Sequence, residues 1–339
     1  MDYSALMPLP VIDGHVHFTQ PERLTEMLAI LDAVPCVRFN LVCVPELDGS
    51  THNPAALFFK ERFPERTFIS AALDYRPTMA DPAHGADSLE KQARDLRRNG
   101  FDGLKLIEGK PQVRKLLPFR LDGVLYAGLW ATLEQEQIPI VCHVADPDEF
   151  WDAARCPDWA RQFGWDYSDG SYPAKEAFYV ELEAVLNRHP RLKLILAHFG
   201  FLSNDLARAG KMLETYSSLH FDLAPHFGLY TDFNRNRAAA QAFFRRYQDR
   251  IVYGTDIDTR AMQRSSDGFR FMQSIPWFIR SFLEKDSFET QDGKPYDGLN
   301  LEADILQKVY YTNFSRLYGE APTPSQRLLW LSQSSLTNK

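Results

Sequence analysis

His15 and His17 stand two residues apart at the end of the apolar stretch VIDGHVH. In a strand, side chains two apart share a face, so both imidazoles point the same way. Two imidazoles held like this can bind one divalent ion, although the spacing alone equally describes a polar strand end. Three more side chains able to ligate or move protons also close apolar runs. His143 ends IPIVCH, His198 ends LKLILAH, and Asp256 follows RIVYGT. Any one of them reads on its own as a hydrogen-bonded core residue. Taken together they call for a fold that brings the ends of separate strands to a single point.

The elements that could do so are visible as short apolar runs at 11–17, 36–44, 67–73, 102–108, 138–143, 192–198, 219–223 and 250–255. Segments of helical spacing lie between them: Leu125, Leu129 and Leu133 in 122–136, and Phe178, Leu182, Val185 and Leu186 in 175–189, which Pro190 closes. Eight strands alternating with helices imply parallel pairing, and continuous apolar runs suit strands covered on both faces. The expectation is an α/β fold, a (β/α)8 TIM barrel, covering roughly 8–290. An open doubly wound sheet would want a Gly-rich phosphate turn after its first strand, and VIDGHVHFTQ has none. In a barrel the C-terminal strand ends meet at one mouth, which would place His15, His17, His143, His198 and Asp256 around one space. Helices at 269–284 and 301–318, joined by a polar loop at 285–298, form the expected C-terminal helical extension. The domain is expected to span 1–319, followed by a tail at 320–339.

Composition narrows the partner. The chain's 38 Lys and Arg against 45 Asp and Glu give a net charge of −7, and no basic run is present, so neither a nucleic acid nor an anionic membrane is expected. A small-molecule substrate remains, with assembly into a homo-oligomer left open. No stretch is apolar enough to span a bilayer, the start resembles no export signal, and the four cysteines form no CxxC pair. A reducing, cytoplasmic setting is expected.

The segment 144–174 separates the fifth strand from its helix by more than a usual connection and carries Phe150, Trp151, Trp159, Phe163, Trp165, Tyr167 and Tyr172. It reads either as a lid over the mouth, with Trp151 against substrate, or as an excursion packed on its own aromatics. His226, beyond the seventh strand, could reach the mouth, and Asp222 could support a histidine from behind. Asp146 and Asp148 read as pocket lining or as loop caps, and Glu108 and Lys110 as pocket rim or plain surface. His52, His84, His189 and His220 read as structural.

The Asp-Gly-His-Val-His start, the histidine ending strand five, the Ala-His-Phe-Gly turn, the Gly-Thr-Asp after strand eight and the late YYTNFSRLYG resemble the amidohydrolase superfamily. The likeness runs over roughly 10–319 and is nearest to the amidohydrolase-related branch, which includes aminocarboxymuconate semialdehyde decarboxylase, resorcylate-type decarboxylases and lactone hydrolases. The resemblance implies that His15, His17, His143 and Asp256 hold one divalent metal ion, and that His198 contacts substrate or carries a proton. His-Phe-Gly departs from the Gly-rich turn that often follows that histidine. Dinuclear members of the superfamily use a carbamylated lysine after strand four. Lys105 lies on that strand but in its middle, so it is expected as a polar group inside the barrel, facing substrate.

Three neutral imidazoles and a carboxylate leave a divalent ion partly charged and open-sided, so that it can activate water near neutral pH; zinc is the first expectation and manganese the second. Asp256 would accept the proton and His198 would polarise a carbonyl or protonate a leaving group. The expected activity is hydrolysis of a small carboxylated or cyclic ester or amide. Non-oxidative decarboxylation of an aromatic or unsaturated acid is the alternative, and a barrel that binds a ligand without turnover is the third.

Overall fold

Nine parallel strands form one sheet in the computed structural model, which describes residues 2–46, 48–264 and 267–324. They are β1 (Val11–His17), β2 (Cys36–Val42), β3 (Thr67–Ala71), β4 (Gly103–Gly109), β5 (Pro139–Val144), β6 (Lys193–Leu196), β7 (Leu219–Asp222), β8 (Ile251–Val252) and β9 (Ile257–Asp258). The order runs from β8 down to β1 and then to β9, so β1 to β8 each lie beside their sequence neighbours, with helices in most of the connections, and β9 lies beside β1. This is the α/β TIM-barrel-like fold expected from the alternation.

The eighth apolar run, 250–255, holds only β8, and β9 follows beyond it. β9 pairs with the end of β1, Val16 opposite Ile257 and His17 opposite Asp258, while Gly14 N donates to Tyr253 O and Asp256 N to His15 O. Those bonds draw the two ends of the sheet together. The approach is so close that glycine is required on both sides. A Cβ at Gly254 would lie 2.9 Å from the His15 Cβ, and one at Gly14 would lie 2.9 Å from Tyr253 O.

Two apolar layers follow from the alternation of side chains. Ile12, Val42, Phe68, Val141, Ile195 and Val252 cluster with Phe314 and Leu317 of the late helix. The larger layer packs the other strand faces on the helices, including Val124–Gln135 through Leu125, Leu129 and Leu133, and Lys175–Arg188 through Phe178, Leu182, Val185 and Leu186. The late helical stretch is Ala303–Gln307, a π turn at Lys308–Thr312, and Asn313–Tyr318. Asn313 Nδ2 donates to Ile251 O at 2.8 Å, and the Tyr318 hydroxyl lies 2.7 Å from Ser70 Oγ. The C-terminal extension is therefore fastened to the barrel strands.

The loop expected at 285–298 contains a small antiparallel hairpin, β10 (Ser287–Glu289) with β11 (Pro295–Asp297). Its strands are three residues long and mostly exposed, too short for alternation to stand out in sequence. From residue 325 onward the expected tail lies outside the described residues. Among the described residues no helix is long and apolar enough to cross a membrane.

Candidate metal centre

His15 is fully buried at the end of β1, and its Nδ1 lies 2.7 Å from Asp222 Oδ2 on β7. The other carboxylate oxygen, Oδ1, accepts from the backbone N–H groups of His198 at 2.6 Å and Ala224 at 3.1 Å. One carboxylate thus ties β1 to the turn after β6. An imidazole donating from Nδ1 keeps its lone pair on Nε2, directed away from Asp222. Burial, followed by the charge of Lys105, holds His15 well below the usual histidine range, so it stays neutral. Burial raises Asp222 to about 6.

His15 Nε2 and His17 Nε2 lie 3.5 and 3.2 Å from Asp256 Oδ1. Ligand atoms of His15, His17 and Asp256 all fall within 4.8 Å of one another. Asp256 adopts a left-handed φ of 55°, which swings its carboxylate toward the histidines, and about a third of its side chain is exposed (32%). Burial alone would raise its pKa, but the His17 hydrogen bond and the neighbouring imidazoles bring it well below the usual carboxylate range. Two imidazole nitrogens and an ionised oxygen converging at this spacing fit a divalent ion. Below them Asp13 accepts from the Thr255 hydroxyl at 2.6 Å and from Thr255 N at 3.1 Å, anchoring the Gly-Thr-Asp turn.

Lys105 is buried inside the barrel, and its Nζ lies 3.5 Å from His15 Nε2. Burial lowers its pKa, which reduces the cost of placing an amine beside the three ligands.

β6 ends at Leu196, two residues before the expected strand end, because His198, Phe199 and Gly200 have φ of 58°, 55° and 59°. Non-glycine residues adopt this conformation at a cost of roughly 1–2 kcal/mol each. Phe199 offsets that cost by stacking on Phe221 and meeting Phe233 edge-on, and Tyr179 holds Gly200 O at 2.6 Å. The turn sets the His198 ring 5.2 Å from His15 and 5.1 Å from His143. His198 Nδ1 donates to Ala224 O at 3.3 Å, a carbonyl that can only accept, so the lone pair is on Nε2. Burial holds this ring neutral too.

His143 faces the same mouth but lies outside the three-residue ligand cluster. Its Nε2 is 3.0 Å from Asp146 Oδ1, and burial lowers its pKa to about 4. Asp146 is also held by Lys110 and by Tyr167 of the aromatic insert. Phe150, Cys156, Ala160 and Tyr167 form a small core of that insert, joined by Trp151, Trp165 and Tyr172. Trp151 donates its indole N–H to Pro173 O and packs on Tyr167, so it is used within the insert. Phe201 lies between the His198 and His226 rings, 5.3 and 5.0 Å from them, and His226 Nε2 is 3.3 Å from Ser203 Oγ. The insert leans on the loop after β7 through Trp159 and Phe227.

Glu108 and Lys110 are neither rim nor surface. Glu108 is buried, bound by the Tyr75 hydroxyl at 2.6 Å, and Lys110 is buried against Asp146. Asp148 binds Lys175 and Asn204. His52, His84, His189 and His220 bind Glu46, Asp81, Glu134 and Ser218 O, apart from the cluster. Sequence reasoning missed Tyr167 and Lys110 as partners of Asp146. A buried, alternating environment for Lys110 has no local signature, and the insert's richness in aromatics was the only available sign of Tyr167.

The sequence profile described as Amidohydrolase matches residues 12–319. No curated protein matches the chain. Among solved structures, it is similar to a 2,6-dihydroxybenzoate decarboxylase from Rhizobium, at 16% identity and TM-score 0.53, covering 91% of this chain and 98% of that one. A Pseudomonas putida protein described as a 2-pyrone-4,6-dicarboxylic acid hydrolase is similar at 15% identity and TM-score 0.55, covering 93% and 99%. A dihydroxybenzoic acid decarboxylase from Polaromonas with bound manganese is similar at 16% identity and TM-score 0.51, covering 91% and 97%. At these identities the structural likeness speaks for the fold.

Proposed function

The chain belongs to the amidohydrolase family, and from that premise we propose that it is a metal-dependent hydrolase of a small carboxylated or cyclic ester or amide. The observation that carries this reading is the convergence of His15 Nε2, His17 Nε2 and Asp256 Oδ1, with Asp222 fixing the His15 lone pair toward the group. His15, His17 and Asp256 would hold one divalent ion, zinc or manganese, with His143 as the fourth donor. When bound, the ion would supply Lewis acidity and lower the pKa of water. Asp256 takes the proton that hydrolysis releases. His198, neutral with Nε2 unprotonated, accepts a proton and returns it to the leaving group. Lys105 and the Phe201 ring border the substrate's position, and His226 packs on Phe201.

Decarboxylation is the second reading, favoured by the fold shared with the two decarboxylases. It would use His198 to deliver a proton to carbon. The two separate in 18O water with metal-loaded enzyme and a panel of lactones, amides and hydroxybenzoates. Label in a product carboxylate supports hydrolysis. Carbon dioxide release, with solvent deuterium on product carbon and no 18O uptake, overturns it.

A further inference from the structure

We propose that Arg260 recognises a free carboxylate on the substrate, apart from the bond that is cleaved, and that Glu46 occupies part of its guanidinium until that carboxylate arrives. The role rests on the hydrolase reading and narrows the substrate to a small ester or amide that carries a free acid group.

The mouth is open on the side where Arg260 stands. His15, His17, His143 and His198 are buried, whereas the Asp256 side chain is partly exposed. β9 follows that aspartate along the end of β1, with Asp258 opposite His17 in parallel register, so the two side chains leave the sheet on one face. Arg260 is built onto Asp258. Its backbone N–H donates to Asp258 Oδ1 at 2.8 Å, Nε donates to Oδ2 at 3.0 Å, and Nη2 lies 2.9 Å from the same oxygen. Thr259, fully buried, accepts from Thr19 N at 3.0 Å and anchors the backbone that carries the guanidinium. Burial alone would lower the Arg260 pKa, but Asp258, then Glu46 and Asp256, hold it above its ordinary value. The guanidinium therefore stays charged within the field of the metal-site aspartate.

One edge of that guanidinium is only loosely used. Asp258 fills the Nε–Nη2 edge. Nη1 meets, among the described residues, only Glu46 Oε1, and at 3.4 Å the contact is longer than an ordinary N–H···O bond. In the sheet order β9 lies beside β1 and β1 beside β2, so the contact between Arg260, after β9, and Glu46, after β2, spans the end of the strand that carries His15 and His17. Glu46 has another partner, since His52 Nε2 binds the same oxygen, and 43% of its side chain is exposed. It can leave Nη1 and stay with His52 and water. A planar carboxylate would take its place on Nη1 and the outer N–H of Nη2, a two-point fit that a neutral carbonyl does not match.

The test titrates the full chain, loaded with zinc, by calorimetry. The probes are dicarboxylates from malonate to adipate, each compared with the monocarboxylate of equal carbon number, so that one carboxylate can meet the metal site and the second Arg260. At least one dicarboxylate should bind roughly 10- to 100-fold tighter than its monocarboxylate. Arg260→Gln should erase that gap and leave the zinc content unchanged. Glu46→Gln should widen it roughly 3-fold by removing the competing charge, a gain that a merely structural role does not produce. A zinc-loaded wild type without the gap overturns the proposal and leaves the metal reading standing. A gap that survives in Arg260→Gln overturns it too. If that variant does not fold, a Glu46→Gln chain that binds the dicarboxylates no tighter than wild type is enough to overturn it. A chain that takes up no zinc yet binds a dicarboxylate through Arg260 would uphold the Arg260 assignment and defeat the metal reading alone.

Discussion

His15 and His143 end strands on opposite sides of one barrel and are held by carboxylates in opposite ways. Asp222 takes Nδ1 of His15, whereas Asp146 takes Nε2 of His143. The first pair is built from strands alone: β7 supplies the carboxylate, β1 the histidine, and the spare oxygen binds the turn after β6. The second pair is built from a loop and an insert, since Asp146 needs a left-handed Ala145, Lys110 from beyond β4, and Tyr167. The barrel ladder therefore sets one side of the mouth, while elements outside the ladder set the other. Strand-built positioning follows from the ladder that the fold supplies. Loop-built positioning is where chains of the same fold can differ in what they bind.

The largest effect should follow from removing the strand-built ligands. Elemental analysis of the wild type should find about one divalent ion per chain, and His15→Ala with His17→Ala should leave none. An unchanged metal content would defeat the site. Two ions per wild-type chain would instead make Lys105 a bridging carbamate, since its Nζ already lies beside His15 Nε2.

Next, Asp222→Ala leaves the His198 and Ala224 N–H groups and His15 Nδ1 without their buried acceptor, and should cost about 3 kcal/mol in urea unfolding. A loss as small as that of an exposed substitution would mean that water replaces the carboxylate and that the ladder does not set this side of the mouth.

His198→Asn should keep the metal and slow turnover by about 100-fold, with kcat falling more than KM changes. Near-normal kcat would make His198 a structural residue, held in its left-handed turn for the sake of Asp222.

The smallest effect belongs to the insert's outer contact. Trp159→Ala removes a half-exposed packing partner of Phe227 and should change stability by less than about 1 kcal/mol while speeding proteolysis within 144–174. Resistance equal to the wild type would show that the insert is held by its own core and by Asp146, and would weaken the lid reading.

Much of the barrel was legible because its signals are local. β1 matches the apolar run 11–17 residue for residue, and the helices at 124–135 and 175–188 sit within their leucine and phenylalanine stripes. Strand ends were less legible where the backbone turns sharply. Nothing in LKLILAHFG announces that His198 and Phe199 take positive φ, a conformation usually marked by glycine, because the compensating contacts come from Phe221 and Phe233 on other elements. Glu108 was misplaced for a related reason. Alternation puts it on the opposite face of β4 from Lys105, toward Tyr75 and away from the mouth.

By itself the sequence determined where the first eight strands form and which chemistry-bearing side chains end or follow them, because two-residue and 3.6-residue periods follow from backbone geometry within a few neighbours. From those ends, and from closure of the barrel, came the meeting of His15, His17 and Asp256. Only the tertiary structure decided which ring nitrogen of each of these histidines meets a hydrogen-bond partner, that Lys105 reaches His15, and that Asp146 is gripped by Lys110 and Tyr167. A tautomer depends on what the other ring nitrogen touches, and those partners are Asp222 for His15, Ala224 O for His198 and Asp146 for His143. Two of the three come from distant parts of the chain, and the third reaches its histidine only through a strained turn, so no periodicity records them.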